Sequence, residues 1–146
     1  MSGAAHRHLV RVYYEDTDAG GIVYYANYLK FAERARTELL RDRGLDHNGL
    51  MTAHGGMFAV RRCSADYRAP ARLDDLLEIV TSITDTAGAR LEMLQEVRRD
   101  GQVLVAVAVT LVFLGADLRP RRLPAAVRHL IAGCAAAAPL EGAAAR

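Results

Sequence analysis

The chain has 146 residues, 51% hydrophobic and 25% charged, with 19 basic against 17 acidic residues and a formal charge of +2. That is one domain's worth of ordinary globular protein, long enough to bury roughly 68–70% of its unfolded surface without metal or disulfide staples. The near-balanced charge argues against a dedicated nucleic-acid binder, which needs a clearly basic face. Cys63 and Cys134 stand in no CxxC or Cys/His ligand spacing, and residues 1–9 lack the apolar core of a secretory leader. No run approaches the roughly 20 apolar residues of a membrane span. These features predict a soluble cytoplasmic protein with no metal and no cofactor.

Residues 9–14 (LVRVYY) alternate in the manner of a strand, and EDTDAGG then breaks the pattern with turn-forming residues. From Tyr25 to Arg43 the period changes to that of a helix. Tyr28, Phe31, Ala32, Ala35 and Leu39 form one stripe, the charged residues lie mostly off it, and Gly44 provides a stop. Residues 45–56 read as a short helix or loop. Four strands follow: Phe58–Tyr67, Leu77–Thr84, Leu91–Arg98 and Val103–Leu114, with consecutive strands expected to pair antiparallel. Asp100-Gly101 marks a hairpin, because both central positions of a type I′ turn need positive φ. Val103–Leu114 is apolar on both faces and belongs inside the sheet. A short helix is expected between Leu123 and Cys134, and residues 135–146 read as a poorly ordered tail. The order predicts an α+β domain, an antiparallel sheet on one long helix, with a second subunit covering what one helix cannot.

The dense polar cluster is Glu15-Asp16-Thr17-Asp18, followed by Ala19-Gly20-Gly21 and the long helix. An ordinary carboxylate, with a pKa of about 4, is ionised at pH 7 and can serve as base or nucleophile. A helix N-terminus beside it offers unpaired N–H groups to a developing oxyanion. The same residues also suit plain capping and turn formation. An Asp-x-Asp phosphoryl-transfer site with Mg²⁺ would expect βαβ units, which the run of strands after residue 57 does not provide. His6 and His8 near the terminus are more simply read as solvated than as metal ligands, and no GxSxG, P-loop or dinucleotide fingerprint is present.

The run VRVYYEDTDAGGIVYYANYLKFAERARTELLR (10–41) and the stretch YRAPARLDDLLEI (67–79) resemble hotdog-fold acyl-CoA thioesterases of the 4-hydroxybenzoyl-CoA thioesterase type, in particular the bacterial branch associated with the Tol-Pal system. The resemblance covers about residues 9–124. It implies a hotdog fold, a five-stranded antiparallel sheet wrapped around one long central helix, with homodimers that assemble to tetramers and an active site at a subunit interface. It places the catalytic carboxylate at Asp18, the carbonyl-polarising backbone N–H at Tyr25, and the substrate loop at Gly21, Ile22 and Val23. The branch often has His where this chain has Tyr25, so no imidazole role carries over. The implied reaction is hydrolysis of an acyl-CoA to acid and CoA, with Asp18 as nucleophile or general base. CoA phosphates call for basic residues at the entrance, for which Arg61, Arg62, Arg68, Arg72 and the Arg119–Arg122 cluster are the candidates. The alternative is a non-enzymatic hotdog scaffold binding an acyl carrier or protein partner.

Overall fold

Helix α1 (Asn27–Asp42) turns its apolar stripe inward, burying Tyr28, Phe31, Ala32, Ala35, Leu39 and Leu40. The computed structural model describes residues 5–134. In it five strands wrap this helix: β1 (His6–Arg11), β2 (Gly56–Tyr67), β3 (Leu76–Ala87), β4 (Arg90–Arg99) and β5 (Gln102–Gly115). They form one antiparallel sheet in the order β1-β3-β4-β5-β2. The inner face contributes Leu77 and Ile79 from β3, Leu91 and Val97 from β4, and Val105, Val107, Val109 and Phe113 from β5. Each large side chain so buried stabilises by about 1.5–3 kcal/mol. One polar side chain sits among them. Gln95 donates to the Ala32 carbonyl (2.8 Å) and Thr81 Oγ1 (3.0 Å) and accepts from Arg36 (2.9 Å), so the helix is pinned to the sheet without an orphaned amide.

The helix, the four later strands and the Asp100-Gly101 turn stand where the residues predict them, with φ of 50° and 81° at the turn. Residues 45–56 resolve to helix α2 (His47–His54), N-capped by the Asp46 side chain. The segment after Leu123 forms α3 (Ala125–Ile131), whose Val127 and Ile131 join the same core. The expected tail at 135–146 lies outside the described residues.

Two expectations need correction. The first strand ends at Arg11 rather than Tyr14, because the Asp16 carboxylate accepts the Tyr13 N–H (2.9 Å) and Tyr14–Asp16 turn into a 3₁₀ helix. Nor do β2 and β3 pair. They lie in different halves of the sheet, β2 at the edge beside β5 and β3 between β1 and β4. The segment joining them crosses the sheet. Arg68 and Ala69 donate backbone N–H groups to the Leu104 carbonyl, and Asp74 donates to the carbonyl of Val12. In between, the Ala71 N–H is received by the Tyr28 hydroxyl (2.9 Å), so this crossing is fastened to the first turn of α1. On β5, alternate residues are buried against the helix, while Ala106, Thr110, Val112 and Leu114 on the outer face are only partly covered.

Candidate active site

The EDTDAGG loop folds back on itself. Asp18 and Ile22 are joined by a backbone hydrogen bond (2.9 Å), the Gly21 N–H reaches the Asp18 carbonyl (3.0 Å), and Thr17 bridges to Val23. Gly21 has φ of +79°, a conformation that a side chain would strain. Within the loop the two aspartates have different surroundings. Asp16 is buried; one oxygen accepts from the Asn27 side chain (2.9 Å) and the other from the Tyr13 N–H, while its backbone carbonyl receives the Tyr24 N–H. Asp18 is exposed and uses Oδ1 to accept the Gly20 N–H (2.8 Å). Its Oδ2 has no donor among the described residues.

Behind this loop, where the crossing segment meets the start of α1, lies a cleft of about 310 Å³ lined by Ile22, Val23, Tyr25, Tyr28, Tyr67, Arg68, Ala69 and Pro70. Three tyrosines form one wall. Tyr25 and Tyr67 meet edge to face at 6.1 Å, Tyr67 and Tyr28 at 5.8 Å, and the Tyr67 hydroxyl donates to the Tyr25 carbonyl (3.0 Å). Burial pushes the Tyr28 and Tyr67 phenols above their ordinary range, so both remain neutral near pH 7. Tyr25 lies two residues before the first residue of α1, and its N–H has no acceptor among the described residues. That first turn carries no acidic residue of its own, and the anion that meets the helix end is the buried Asp16 carboxylate, through the Asn27 side chain.

The structure thus brings Ile22, Val23, Tyr25 and Arg68 to one cleft. Asp18 and Gly21 stand on the adjoining loop, one hydrogen bond from Ile22, and Arg72 bridges to Ile22 from the crossing segment. Arg68 donates Nε to Asp66 (2.8 Å), while its buried Nη1 has no partner among the described residues. Arg61 and Arg62 are not in this group. They line a separate cavity with Arg90, Glu92 and Thr110. Tyr28 was legible only as helix core and Tyr67 only as a strand end; the YRAP stretch that begins at Tyr67 was the signal that pointed to this neighbourhood. Among the described residues, no group of three or more His, Cys, Asp or Glu side chains could hold a metal. No described helix is long and apolar enough to cross a membrane.

The family description "Thioesterase-like superfamily" matches residues 12–131. The chain is 46% identical over 129 residues to the acyl-CoA thioester hydrolase YbgC of Escherichia coli, spanning 87% of this chain and 96% of that one. It is 42% identical over 127 residues to the acyl-CoA thioesterase YbgC of Haemophilus influenzae, spanning 83% and 93%. Among solved structures it resembles a probable thioesterase from Bartonella henselae, with 39% identity, a TM-score of 0.79 and coverage of 83% and 100%. In fold it also resembles a 4-hydroxybenzoyl-CoA thioesterase variant complexed with 4-hydroxybenzoyl-CoA, with 24% identity, a TM-score of 0.82 and coverage of 88% and 99%.

Proposed function

The chain belongs to the thioesterase-like superfamily and is an acyl-CoA thioester hydrolase; within that reaction we propose that Asp18 activates the attacking group and that the Tyr25 N–H receives the thioester oxygen. The observation that carries this division is that, among the described residues, one Asp18 carboxylate oxygen has no donor and the Tyr25 N–H just before α1 has no acceptor. The apolar, aromatic cleft takes the acyl portion, with Ile22 and Val23 as one wall and Gly21 setting the loop that carries them. As the carbonyl carbon becomes tetrahedral, negative charge collects on its oxygen. A backbone donor aimed there is worth about 2.7–4 kcal/mol.

Asp18 acts in one of two ways. As general base it takes a proton from water, the hydroxyl adds to the carbonyl carbon, and collapse expels the CoA thiolate and leaves the acid. As nucleophile it adds directly, expels the thiolate, and forms a mixed anhydride that water then cleaves. Incubation in ¹⁸O-water under single-turnover conditions separates the routes, since only the anhydride route carries the label into Asp18 when water attacks the aspartyl carbonyl. Arg68 lines this cleft and Arg72 bridges to Ile22 beside it, and both serve the polar part of the substrate.

The working unit we propose is a homodimer joined through β2. This strand is 12 residues long, lies at the sheet edge, and leaves Val60 51% and Tyr67 44% exposed. An edge of that length and character is a template for a second strand. Two dimers then associate as a tetramer through the partly covered outer faces. A cytoplasmic location suits the exposed free thiol of Cys63.

The test is thiol release from a panel of acyl-CoA substrates, alongside size-exclusion measurement of assembly. Asp18→Asn is expected to lose turnover by two orders of magnitude or more, the range of positioned acid–base catalysis, with its fold intact. Full activity in that variant would remove Asp18 from the chemistry. A chain that cleaves no thioester would leave only a scaffold that binds an acyl carrier or protein.

A further inference from the structure

Away from β2, in the other half of the sheet, strand β3 outruns its neighbour. β1 pairs only with residues 76–81 of β3, so residues 82–87 have no adjoining strand on that side among the described residues. The register of β3 against β4 also breaks here, between Ile83, opposite Met93, and Asp85, opposite Glu92. Thr84 is therefore the extra residue of a bulge. Bulges re-aim side chains, and Ile83, Thr84, Asp85 and Thr86 all wall one recess of about 280 Å³. Its other wall comes from the end of α3, where Arg128, Ile131 and Ala132 stand on one flank at i, i+3 and i+4.

Arg128 is the unsettled member of this group. Its Nε and Nη2, the two donors of the guanidinium's side-on edge, are both buried and have no hydrogen-bond partner among the described residues. A cationic edge taken out of water is costly unless acceptors meet it. The carboxylate that lines the recess does not supply them, because Asp85 is held by Arg90 at 3.2 Å. The hydroxyls of Thr84 and Thr86 likewise have no partner among the described residues. Two parallel N–H donors match the two oxygens of a carboxylate.

We propose that this recess is a second ligand site, which takes a small carboxylic acid with an apolar body. The charge favours a carboxylate over a phosphate group: one unpaired guanidinium balances one negative charge, whereas a phosphate monoester brings closer to two. Ile83, Ile131 and Ala132 give the hydrocarbon part its contacts. The recess is smaller than the roughly 300 Å³ at which pockets for drug-sized ligands begin, so that body is short. The acid released by thioester hydrolysis belongs to this class. No lining residue is shared with the aromatic cleft. Ile83 and Ile131 belong to the helix-side core, and β3 is three strands removed from β2, so neither the proposed dimer seam nor the outer face of the sheet covers the site.

The experiment uses the full chain and follows isoleucine methyl signals by NMR while hexanoate is added. The four isoleucines report separately: Ile83 and Ile131 on this recess, Ile22 on the aromatic cleft, and Ile79 on the core. In wild type the Ile83 and Ile131 signals should move together and saturate, and hexanamide, which has no charge, should leave them in place. Arg128→Gln should weaken that response tenfold or more, as expected for losing a charge-assisted pair of hydrogen bonds, while the response of Ile22 stays as in wild type. Should Arg128→Gln fold poorly, Arg128→Lys keeps the charge without the planar fork and should still weaken the response several-fold. The site is overturned if Ile83 and Ile131 do not respond to hexanoate, if hexanamide moves them equally, or if the Arg128 variants titrate as wild type. No thioester is present in this titration, so its outcome is independent of the catalytic assignment.

Discussion

Asp16 and Asp18 are two residues apart in one loop, and the fold treats them oppositely. Asp16 is buried with both oxygens committed, to the Tyr13 N–H and the Asn27 side chain, and so fastens the turn to the start of α1. Asp18 is exposed and spends one oxygen on its own turn. A buried carboxylate with both oxygens engaged is shut away from a substrate, whereas an exposed carboxylate held by one oxygen is oriented yet still accessible. Chemical type alone does not separate the two aspartates; burial and the number of oxygens engaged do.

The comparison breaks most visibly at Asp18. We expect Asp18→Asn to lower kcat by two orders of magnitude or more with no shift in melting temperature, read from thiol release and calorimetry on one preparation. Asp16→Ala should do the reverse to stability. It strands the Tyr13 N–H and the Asn27 amide, a cost of about 3 kcal/mol and a fall in melting temperature on the order of 10 °C. A melting temperature equal to wild type would show that the buried carboxylate fastens nothing.

Tyr67→Phe sharpens the comparison at the other half of the site. Removing the hydroxyl frees the Tyr25 carbonyl that it holds, and a net hydrogen bond of about 1 kcal/mol predicts a several-fold loss in kcat with KM nearly unchanged. A third aspartate gives the smallest effect. Burial acts to raise the Asp75 carboxyl, but the Arg72 N–H (2.8 Å) and the Arg99 guanidinium (2.7 Å) outweigh it and hold it below the ordinary range. Its contribution is therefore complete above the unfolded pKa of about 3.9 and is lost as pH falls through the lower folded value. Asp75→Asn should flatten the acid limb of a melting-temperature profile taken from pH 7 to pH 3; an unchanged limb would remove Asp75 from the acid response.

Much of the fold was legible because its signals are local. The stripe from Tyr28 to Leu39 specifies α1, and Asp100-Gly101 specifies a turn that only positive φ satisfies. What was not legible depends on partners distant in sequence. Alternation continues through Tyr13 and Tyr14, so nothing local ends β1 at Arg11; the diversion of the Tyr13 N–H to Asp16 does. The antiparallel pattern of β2 is equally satisfied by β3 or β5, and the crossing past Leu104 and Tyr28 decides between them. The candidate residues at Asp18, Tyr25, Ile22 and Val23 came from the resemblance of the loop and helix start to the thioesterase family, since the loop's own residues suit capping as well as chemistry. The tyrosine wall came from that crossing, and Arg61 and Arg62 stand apart from Arg68 because β2 runs on for several residues between them.

The strand order has a consequence for how the molecule assembles in time. β3, β4 and β5 are joined by tight turns and can zip together as each is made, because their contacts close short loops. β2 precedes all three yet pairs with β5, from Tyr67 opposite Val105 to Gly56 opposite Gly115, so its partner is the last strand synthesised. During synthesis α1 and β2 must wait, with apolar side chains uncovered, until the meander is complete. Pulsed hydrogen exchange during refolding should therefore protect amides of β3 and β4 before those of β2, and simultaneous protection would exclude that order. On this view the edge that we propose as the dimer seam is also the last part of the sheet to acquire a neighbour.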